Sequence, residues 1–344
     1  MDQLYVDGFH DRASLKGTKY KRLGHTDILT TKLSLGGGPI GGIYDGCAQL
    51  PEDIVLTALR HGICYIDTAP WYGQGRSESV IGNALRNVPR HSFYIGTKVG
   101  RYELATEKMF DFSAERTLQS IDESLHRLGV DYLDLCQVHD LEFASTPEII
   151  LNETLPALER AKASGKIKHI GITGYPLQAL VEIAEKSRIK IDTILTYSRA
   201  TLFDDSLRAY ADFFKSRNIG IINAAPTGMG LLTAQGPQTW HPADTTLKTT
   251  CAQAVEWCKT QNVSIERLSV HHGLDYPDTD TCLVGANSVQ RLRQNLEVAQ
   301  NGLTPHEIQL KEDIKKRFFT SLSSTHWEGV EVAKYRENMK NLAS

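Results

Sequence analysis

The chain has no apolar run near the ~18 residues that a membrane-spanning helix requires. Its first twenty residues carry Asp2, Asp7, Asp11, Arg12 and Lys16 where a secretory leader would be apolar. Neither membrane insertion nor Sec-type export is expected. An excess of charge of either sign is also missing, since 38 Lys and Arg stand against 41 Asp and Glu for a net of −3. Without a long basic run there is no electrostatic footprint for nucleic acid or for an anionic membrane surface, and neither partner is expected. Cysteine is sparse: Cys47, Cys64, Cys136, Cys251, Cys258 and Cys282 form no CxxC pair. That spacing excludes a disulfide scaffold and a zinc site, so reduced thiols, a cytoplasmic setting and no metal are expected. Asn152 and Asn262 head N-x-[ST] triplets in segments of helical pattern and are read as chance matches.

What is present is a regular alternation. After a polar arm (residues 1–18), Tyr20 to Leu35 reads as two short strands about the turn Gly24-His25-Thr26-Asp27. Eight short apolar runs then recur, at 33–35, 65–68, 93–98, 132–138, 169–173, 193–197, 219–225 and 282–285. Their lack of in-and-out alternation is what strands buried on both faces require, the mark of a parallel sheet covered by helices. Helical patterns fill the gaps. Between Ser113 and Leu128 the residues Leu118, Ile121, Leu125 and Leu128 step by three or four, with Ser113 as N-cap and Gly129 at the C-terminal stop. Thr146-Pro147 opens the next helix and Gly165 closes it; others are expected at 52–60, 77–85, 178–186, 205–215, 264–274 and 289–300.

Length alone suggests two domains, at ~150 residues each, yet eight strand–helix pairs of about 35 residues fit a single (β/α)8 TIM barrel. The expected architecture is α/β: one barrel domain over 19–320 with an N-terminal hairpin and extra C-terminal helices, then a C-terminal tail at 321–344. Residues 228–264 hold a long Gly-, Pro- and Thr-rich insertion with its own helix, expected on the ligand-binding face.

A barrel carries its chemistry where strands end, so polar residues closing apolar runs are the candidates. Asp67, Lys98 and His139 each do so, and Tyr72 follows Asp67 by five residues. Singly, each has an ordinary role as a turn cap, rim residue or core histidine. Together they form a proton-transfer device. A phenol with a free pKa near ~10 is a poor acid or base at neutral pH, and an ammonium held beside it by a carboxylate should lower that value. His139 would orient a carbonyl or alcohol oxygen.

The run Gly62-Ile63-Cys64-Tyr65-Ile66-Asp67-Thr68-Ala69-Pro70-Trp71-Tyr72-Gly73, followed by Ser77-Glu78-Ser79-Val80-Ile81-Gly82, resembles the signature of the aldo-keto reductase family. Lys98 and His139 fall where that family places the rest of its Asp, Tyr, Lys, His tetrad, and the likeness extends over about residues 18 to 300. Within the family the likeness is to aldose dehydrogenases, carried by Phe110-Asp111-Phe112-Ser113-Ala114-Glu115-Arg116, His139-Asp140-Leu141-Glu142-Phe143 and the stretch from Gly230 to Pro242. It implies NAD(P)-linked oxidation of an L-galactose-like aldose at its anomeric carbon to a lactone, with Tyr72 as general acid/base. Alternatives are NADPH-dependent reduction of small aldehydes or ketones by the same tetrad, and a non-catalytic nucleotide-sensing barrel subunit.

Gly36-Gly37-Gly38-Pro39-Ile40-Gly41 matches G-x-G-x-x-G, but its last glycine runs on into loop rather than opening a helix, which argues against a Rossmann site. Leu283 to Ser288, a strand running into a helix, is the better phosphate candidate. The resemblance implies that Gly285, Ala286, Ser288, Arg291, Gln294 and Asn295 line the adenine end of a dinucleotide. Gly37, Thr173, Tyr197, Ala225, Pro226, Gly228 and Gly230 would surround its nicotinamide and pyrophosphate. Many family members carry a basic residue where this chain has Gly285, a Ser-Asn pair where it has Thr173-Gly174, and a tyrosine where it has Ala224. The first departure weakens the grip on a 2′-phosphate and leans the expectation to NAD, with Arg291 able to serve either cofactor. Tyr44, Trp71, Asp140 and Trp240 are the substrate candidates, with Glu142, Phe143, Arg199, Thr201 and His241 expected to overhang Tyr72. The chain is expected to be a monomer or weak homo-oligomer acting on a small carbonyl or sugar.

Overall fold

The computed structural model of the chain describes residues 4–16, 18–43 and 50–343, so Cys47 and the substrate candidate Tyr44 lie outside the described residues. Two strands, β1 (Lys21–Arg22) and β2 (Leu29–Thr30), pair antiparallel. Eight more follow: β3 (Leu33–Gly36), β4 (Tyr65–Asp67), β5 (Tyr94–Val99), β6 (Leu133–Val138), β7 (Ile167–Thr173), β8 (Thr193–Tyr197), β9 (Gly220–Ala224) and β10 (Thr281–Gly285). These eight close into a parallel barrel in chain order, β10 pairing with both β9 and β3. The closed barrel excludes a Rossmann sheet, and Pro39–Gly41 is a single 3-10 turn instead of a helix start.

The hairpin stoppers one end of the barrel. Leu23 and Ile28 are fully buried and pack in one cluster with Tyr65, Leu135, Leu195, Ile222 and Leu283 of β4, β6, β8, β9 and β10. Gly24 must be glycine here, because its φ is +54° and a Cβ would lie 2.6 Å from the backbone of Gly220. The opposite end, where the strands finish, is left open.

Helices before the barrel's midpoint are α1 (Arg12–Leu15), α2 (Pro51–Arg60), α3 (Arg76–Leu85), α4 (Thr106–Met109) and α5 (Ala114–Leu128), then α6 (Pro147–Ile149) and α7 (Leu155–Ala163). Ser113 caps α5 by accepting from the Arg116 N–H, and Gly129 ends it at φ +65°. The segment expected to be one helix from Thr146 is instead α6, a π-helical turn at Ile150–Thr154, and α7. Pro156 has no N–H for the carbonyl four residues back, and a widened turn accommodates that.

Then come α8 (Leu177–Lys186) and α9 (Arg208–Ser216). The latter starts three residues after Asp205 because Asp204 ties residues 204–206 into a turn, accepting from the Ser206 N–H at 2.8 Å. Helix α10 (Thr245–Thr260) is the inserted helix, followed by α11 (Ile265–Leu274), α12 (Val289–Asn301), α13 (Pro305–Ile314) and α14 (Val330–Ala343). The last lies across α4 and the turn Leu141–Phe143, where Tyr335 sets its ring edge against Phe110 and Phe143.

Register brings the candidate residues to the open end on adjacent strands. Asp67 stands opposite Gly96, Lys98 opposite Gln137, and His139 follows Val138 directly. Gly96 has a packing reason, since a Cβ there would run into the Tyr65 hydroxyl, which donates to Asp67 Oδ2 at 3.2 Å. Gly96→Ala should therefore cost about 1–3 kcal/mol in urea unfolding, the usual penalty for overpacking. Combining it with Tyr65→Phe should cost clearly less than the sum of the two single changes. Strict additivity would show that the clash is relieved elsewhere.

Candidate active site

Lys98 is 1% exposed and places all three of its ammonium protons. It donates to Asp67 Oδ1 in a very short contact, to the Thr68 carbonyl at 2.8 Å and to Tyr72 Oη at 3.2 Å. The second carboxylate oxygen of Asp67 accepts from Gln137 Nε2 at 2.7 Å as well as from Tyr65. Burial pulls the Lys98 pKa down, but Asp67 and Tyr72 outweigh it and hold the ammonium above its ordinary value. Because Tyr72 Oη accepts from Lys98, its own O–H is left to face a reacting oxygen.

Lys98 was expected to lower the pKa of Tyr72. It does oppose ionisation's cost, but burial of the phenol is the larger effect and the net direction is upward, with Asp67 adding to it. The resting group is thus the neutral phenol. The ring meets His139 edge-on, with centroids 5.7 Å apart at 86°. Burial pushes His139 down to about 3, against the pull of Asp140, so the imidazole is neutral at physiological pH. Its Nε2 lies 3.7 Å from Asp140 Oδ2, and among the described residues Nδ1 is buried without a partner. Asp140, at φ +49°, accepts from Arg101 at 2.6 Å. Burial opposes its ionisation, but the hydrogen-bonded Arg101 guanidinium holds its pKa below the usual carboxylate value. Arg101 in turn lies over the Trp71 ring at 4.1 Å.

These groups line the inner wall of a cavity of about 910 Å³ that runs from the tetrad to the start of α12. Asp67, Tyr72, Lys98 and His139 all face it, as do the substrate candidates Trp71, Asp140 and Trp240. So do Gly37, Thr173, Tyr197, Ala225, Pro226, Gly230, Gly285, Arg291 and Asn295. Four nucleotide candidates do not line this cavity. Gln294 opens on a small adjoining cleft, and Ser288 caps α12 by accepting from the Arg291 N–H. Ala286 is packed in the core, and Gly228 lies under the Phe203 ring with its carbonyl accepting from His241.

The overhang expected of Glu142, Phe143, Arg199, Thr201 and His241 is not there. None of the five lines the cavity. Arg199 is buried over Tyr175 and pairs with Glu328 at 2.9 Å, and His241 packs edge-on against Trp327. Their polar character serves a buried joint behind the site. Residues that motif reading missed include Arg101, Gln137, Glu266 and Glu331. Gln137 could have been found, because it is a buried-strand amide that pairs in register with Lys98 two residues before His139.

The far end of the cavity suits a dinucleotide. Asn287, Arg291 and Asn295 converge at the first turns of α12, a helix N-terminus whose free N–H groups and dipole favour phosphate. The volume is of the size that holds an extended cofactor with a small substrate.

A neutral His139 makes a direct prediction. Its 15N resonances should stay those of an uncharged ring from pH 8 down to about pH 4. Because the folded pKa is depressed, the unfolded chain binds the extra proton between about 6.5 and 3, so this group costs stability as pH falls through that window. His139→Gln should flatten that part of the stability profile, and a ring that protonates near pH 6.5 would contradict the assignment.

The Aldo/keto reductase family model matches residues 33–316 of the chain. An L-galactose dehydrogenase of Arabidopsis thaliana is 39% identical over 282 residues, covering 80% of this chain and 86% of the relative. A D-arabinose 1-dehydrogenase of Saccharomyces cerevisiae is 32% identical over 316 residues, covering 86% and 92%. Among solved structures, an aldo-keto reductase from Bacillus halodurans in its holo form superposes with a TM-score of 0.69 at 23% identity, covering 90% of this chain and 99% of that one. With a parallel barrel whose mouth carries the tetrad and a family match across its length, the chain belongs to the aldo/keto reductase family and is an NAD(P)-dependent oxidoreductase.

Proposed function

We propose that the protein is an aldose 1-dehydrogenase that oxidises L-galactose, or an aldose of related stereochemistry, at the anomeric carbon to the lactone, with NAD in preference to NADP. The observation that carries this reading is the mixed lining of the cavity, where Asp140, Arg101, His139 and Glu331 bring hydrogen-bonding groups to the same space as Tyr72, Trp71 and Trp240. Each sugar hydroxyl buried without a partner costs roughly 1–3 kcal/mol, so such a lining suits a polyol better than an alkyl aldehyde. The sugar dehydrogenases among the relatives support the same class.

The chemistry that a bound nicotinamide supplies is acceptance of the hydride from the anomeric carbon. The protein's part is the proton. Ionised to the phenolate, which the Lys98 ammonium 3.2 Å away stabilises, Tyr72 Oη takes it from the anomeric hydroxyl and becomes the neutral phenol. His139, neutral, hydrogen-bonds the same substrate oxygen and orients it without adding a like charge beside Lys98. Asp67, Tyr65 and Gln137 act through Lys98 and are positioning residues.

Tyr72→Phe should retain dinucleotide binding and lose about 10²–10⁴-fold in turnover, the range of general acid–base catalysis. Retention of more than a tenth of the rate would exclude the role. Because burial holds the Tyr72 phenol above its ordinary value, oxidation should quicken as pH rises into the alkaline range. Lys98→Met paired with Asp67→Asn, which avoids a stranded buried carboxylate, should displace that rise to higher pH, since the phenolate loses its cation. An undisplaced profile would detach the rate from the Tyr72–Lys98 couple.

For the cofactor, Gly285 offers no side chain to a 2′-phosphate, and any side chain there would strike the Pro39 ring at 2.6 Å. Glu266 lies 3.9 Å from Arg291, where its carboxylate competes with a phosphate for that guanidinium and suits ribose hydroxyls. Glu266→Gln should tighten NADP⁺ relative to NAD⁺ by about tenfold in fluorescence titrations, as expected when one unfavourable charge pair is removed. A protein that reduces hydrophobic aldehydes efficiently with NADPH, yet oxidises no free aldose with either nucleotide, would replace this reading with the aldehyde reductase alternative.

A further inference from the structure

Beyond residue 316, where the family match stops, the chain returns to the mouth of the barrel. Trp327 is 2% exposed, stacks on the Tyr175 ring at 4.7 Å and 12°, and donates its backbone N–H to the Tyr175 hydroxyl at 3.2 Å. Glu328 pairs with the buried Arg199. Seven residues on, Tyr335 packs against Phe110 and Phe143 at centroid distances of 5.1 and 5.6 Å. The stretch between these two clamps is held against the site, and its Glu331 lines the cavity that contains Tyr72.

The charges around Glu331 are unevenly matched. Lys98 is neutralised by Asp67, and Arg101 is committed to Asp140. Besides Arg101, the cation that acts on Glu331 is Lys334, an exposed residue on the same helix. Glu142, behind Asp140, accepts from the Tyr175 N–H at 3.0 Å and is pushed up to about 8 by burial and by Asp140, so it stays protonated near pH 7. Burial and Asp140 raise the Glu331 pKa above the ordinary carboxylate value, against Arg101 and Lys334, and among the described residues no salt bridge pairs it with a dedicated cation. A surplus acceptor of that kind can bond hydroxyls, while a second carboxylate brought beside it in a low-dielectric cleft is repelled.

We propose that Glu331 is a specificity-determining residue that accepts hydrogen bonds from substrate hydroxyls remote from the reacting carbon and rejects substrates that carry a carboxylate, uronic acids above all. This rests on the reading of the substrate as a neutral sugar, and the test separates the two. Glu331→Gln and Glu331→Lys are compared with the wild type on a neutral aldose against the uronic acid of the same configuration. In the reductive direction the pair is glyceraldehyde against glyoxylate. Melting temperatures confirm that each variant is folded.

Glu331→Gln should shift the ratio of kcat/KM values toward the anion by about tenfold in both pairs, the worth of one charge contact, and Glu331→Lys should shift it further. The change should fall on KM with kcat kept, because Glu331 does not touch the reacting atoms. Unchanged ratios in both pairs, in a folded variant, would overturn the proposal. A wild type that oxidises no aldose while the variants still shift the aldehyde pair would remove the sugar reading and leave the role of Glu331 standing.

Discussion

The site depends on keeping one ammonium charged inside the barrel. Taking an ion out of water costs several kcal/mol even after relaxation, and the cost is met only where every proton finds a partner. Lys98 meets that condition with Asp67, the Thr68 carbonyl and Tyr72, and Asp67 in turn needs Tyr65 and Gln137 to satisfy its other oxygen. The chain of requirements runs outward into the sheet. Tyr65 can reach Asp67 because Gly96 has no side chain in the way, and Gln137 reaches it because β5 and β6 are in register at Lys98. A shift of one residue in any of three strands would leave a charge stranded.

The same dryness sets the electrostatics of the reaction. Burial raises Tyr72 and lowers His139, so both rest in their neutral forms, while Lys98 and Arg101 are hydrogen-bonded to the carboxylates of Asp67 and Asp140. A low-dielectric site strengthens the Lys98–Tyr72 interaction as it makes the phenolate harder to form. Burial is the larger effect on the resting phenol. For oxidation the ammonium acts on the phenolate, the form of Tyr72 able to accept a proton, by opposing the burial that disfavours it.

Much of this was legible in the sequence, for reasons that can be named. Strands buried on both faces leave continuous apolar runs, so all eight barrel strands emerged with ends within a few residues. The polar residues that close those runs, Asp67, Lys98 and His139, could be placed at one mouth because parallel strands end on one side. What escaped was whatever depends on contacts between distant segments. Arg199 and His241 looked like pocket residues because they are polar and lie on loops, yet they close a buried joint with Tyr175, Trp327 and Glu328. Glu331 escaped for the opposite reason, since nothing in the helical pattern of residues 330–343 marks the one side chain that meets the cavity. The upward direction at Tyr72 was missed because pairing with Lys98 was visible in the motif and burial was not.

These contacts divide the cavity into parts with different origins. The groups proposed for proton transfer stand at the ends of barrel strands and in the turn after β4, and the end proposed for phosphate is set by β10 and α12, all inside the stretch that matches the family. The proposed substrate wall draws on Arg101 and on the inserted turns that carry Trp240, also inside that stretch, and on Glu331 of α14, which lies beyond it. Changing residues on that wall should alter which molecule fits without disturbing the Lys98 network, because among the described residues its hydrogen bonds stay within β4, β5, β6 and the turn after β4. A barrel of this kind can hold its acid–base chemistry fixed while the choice of substrate is written in segments that the strands do not constrain.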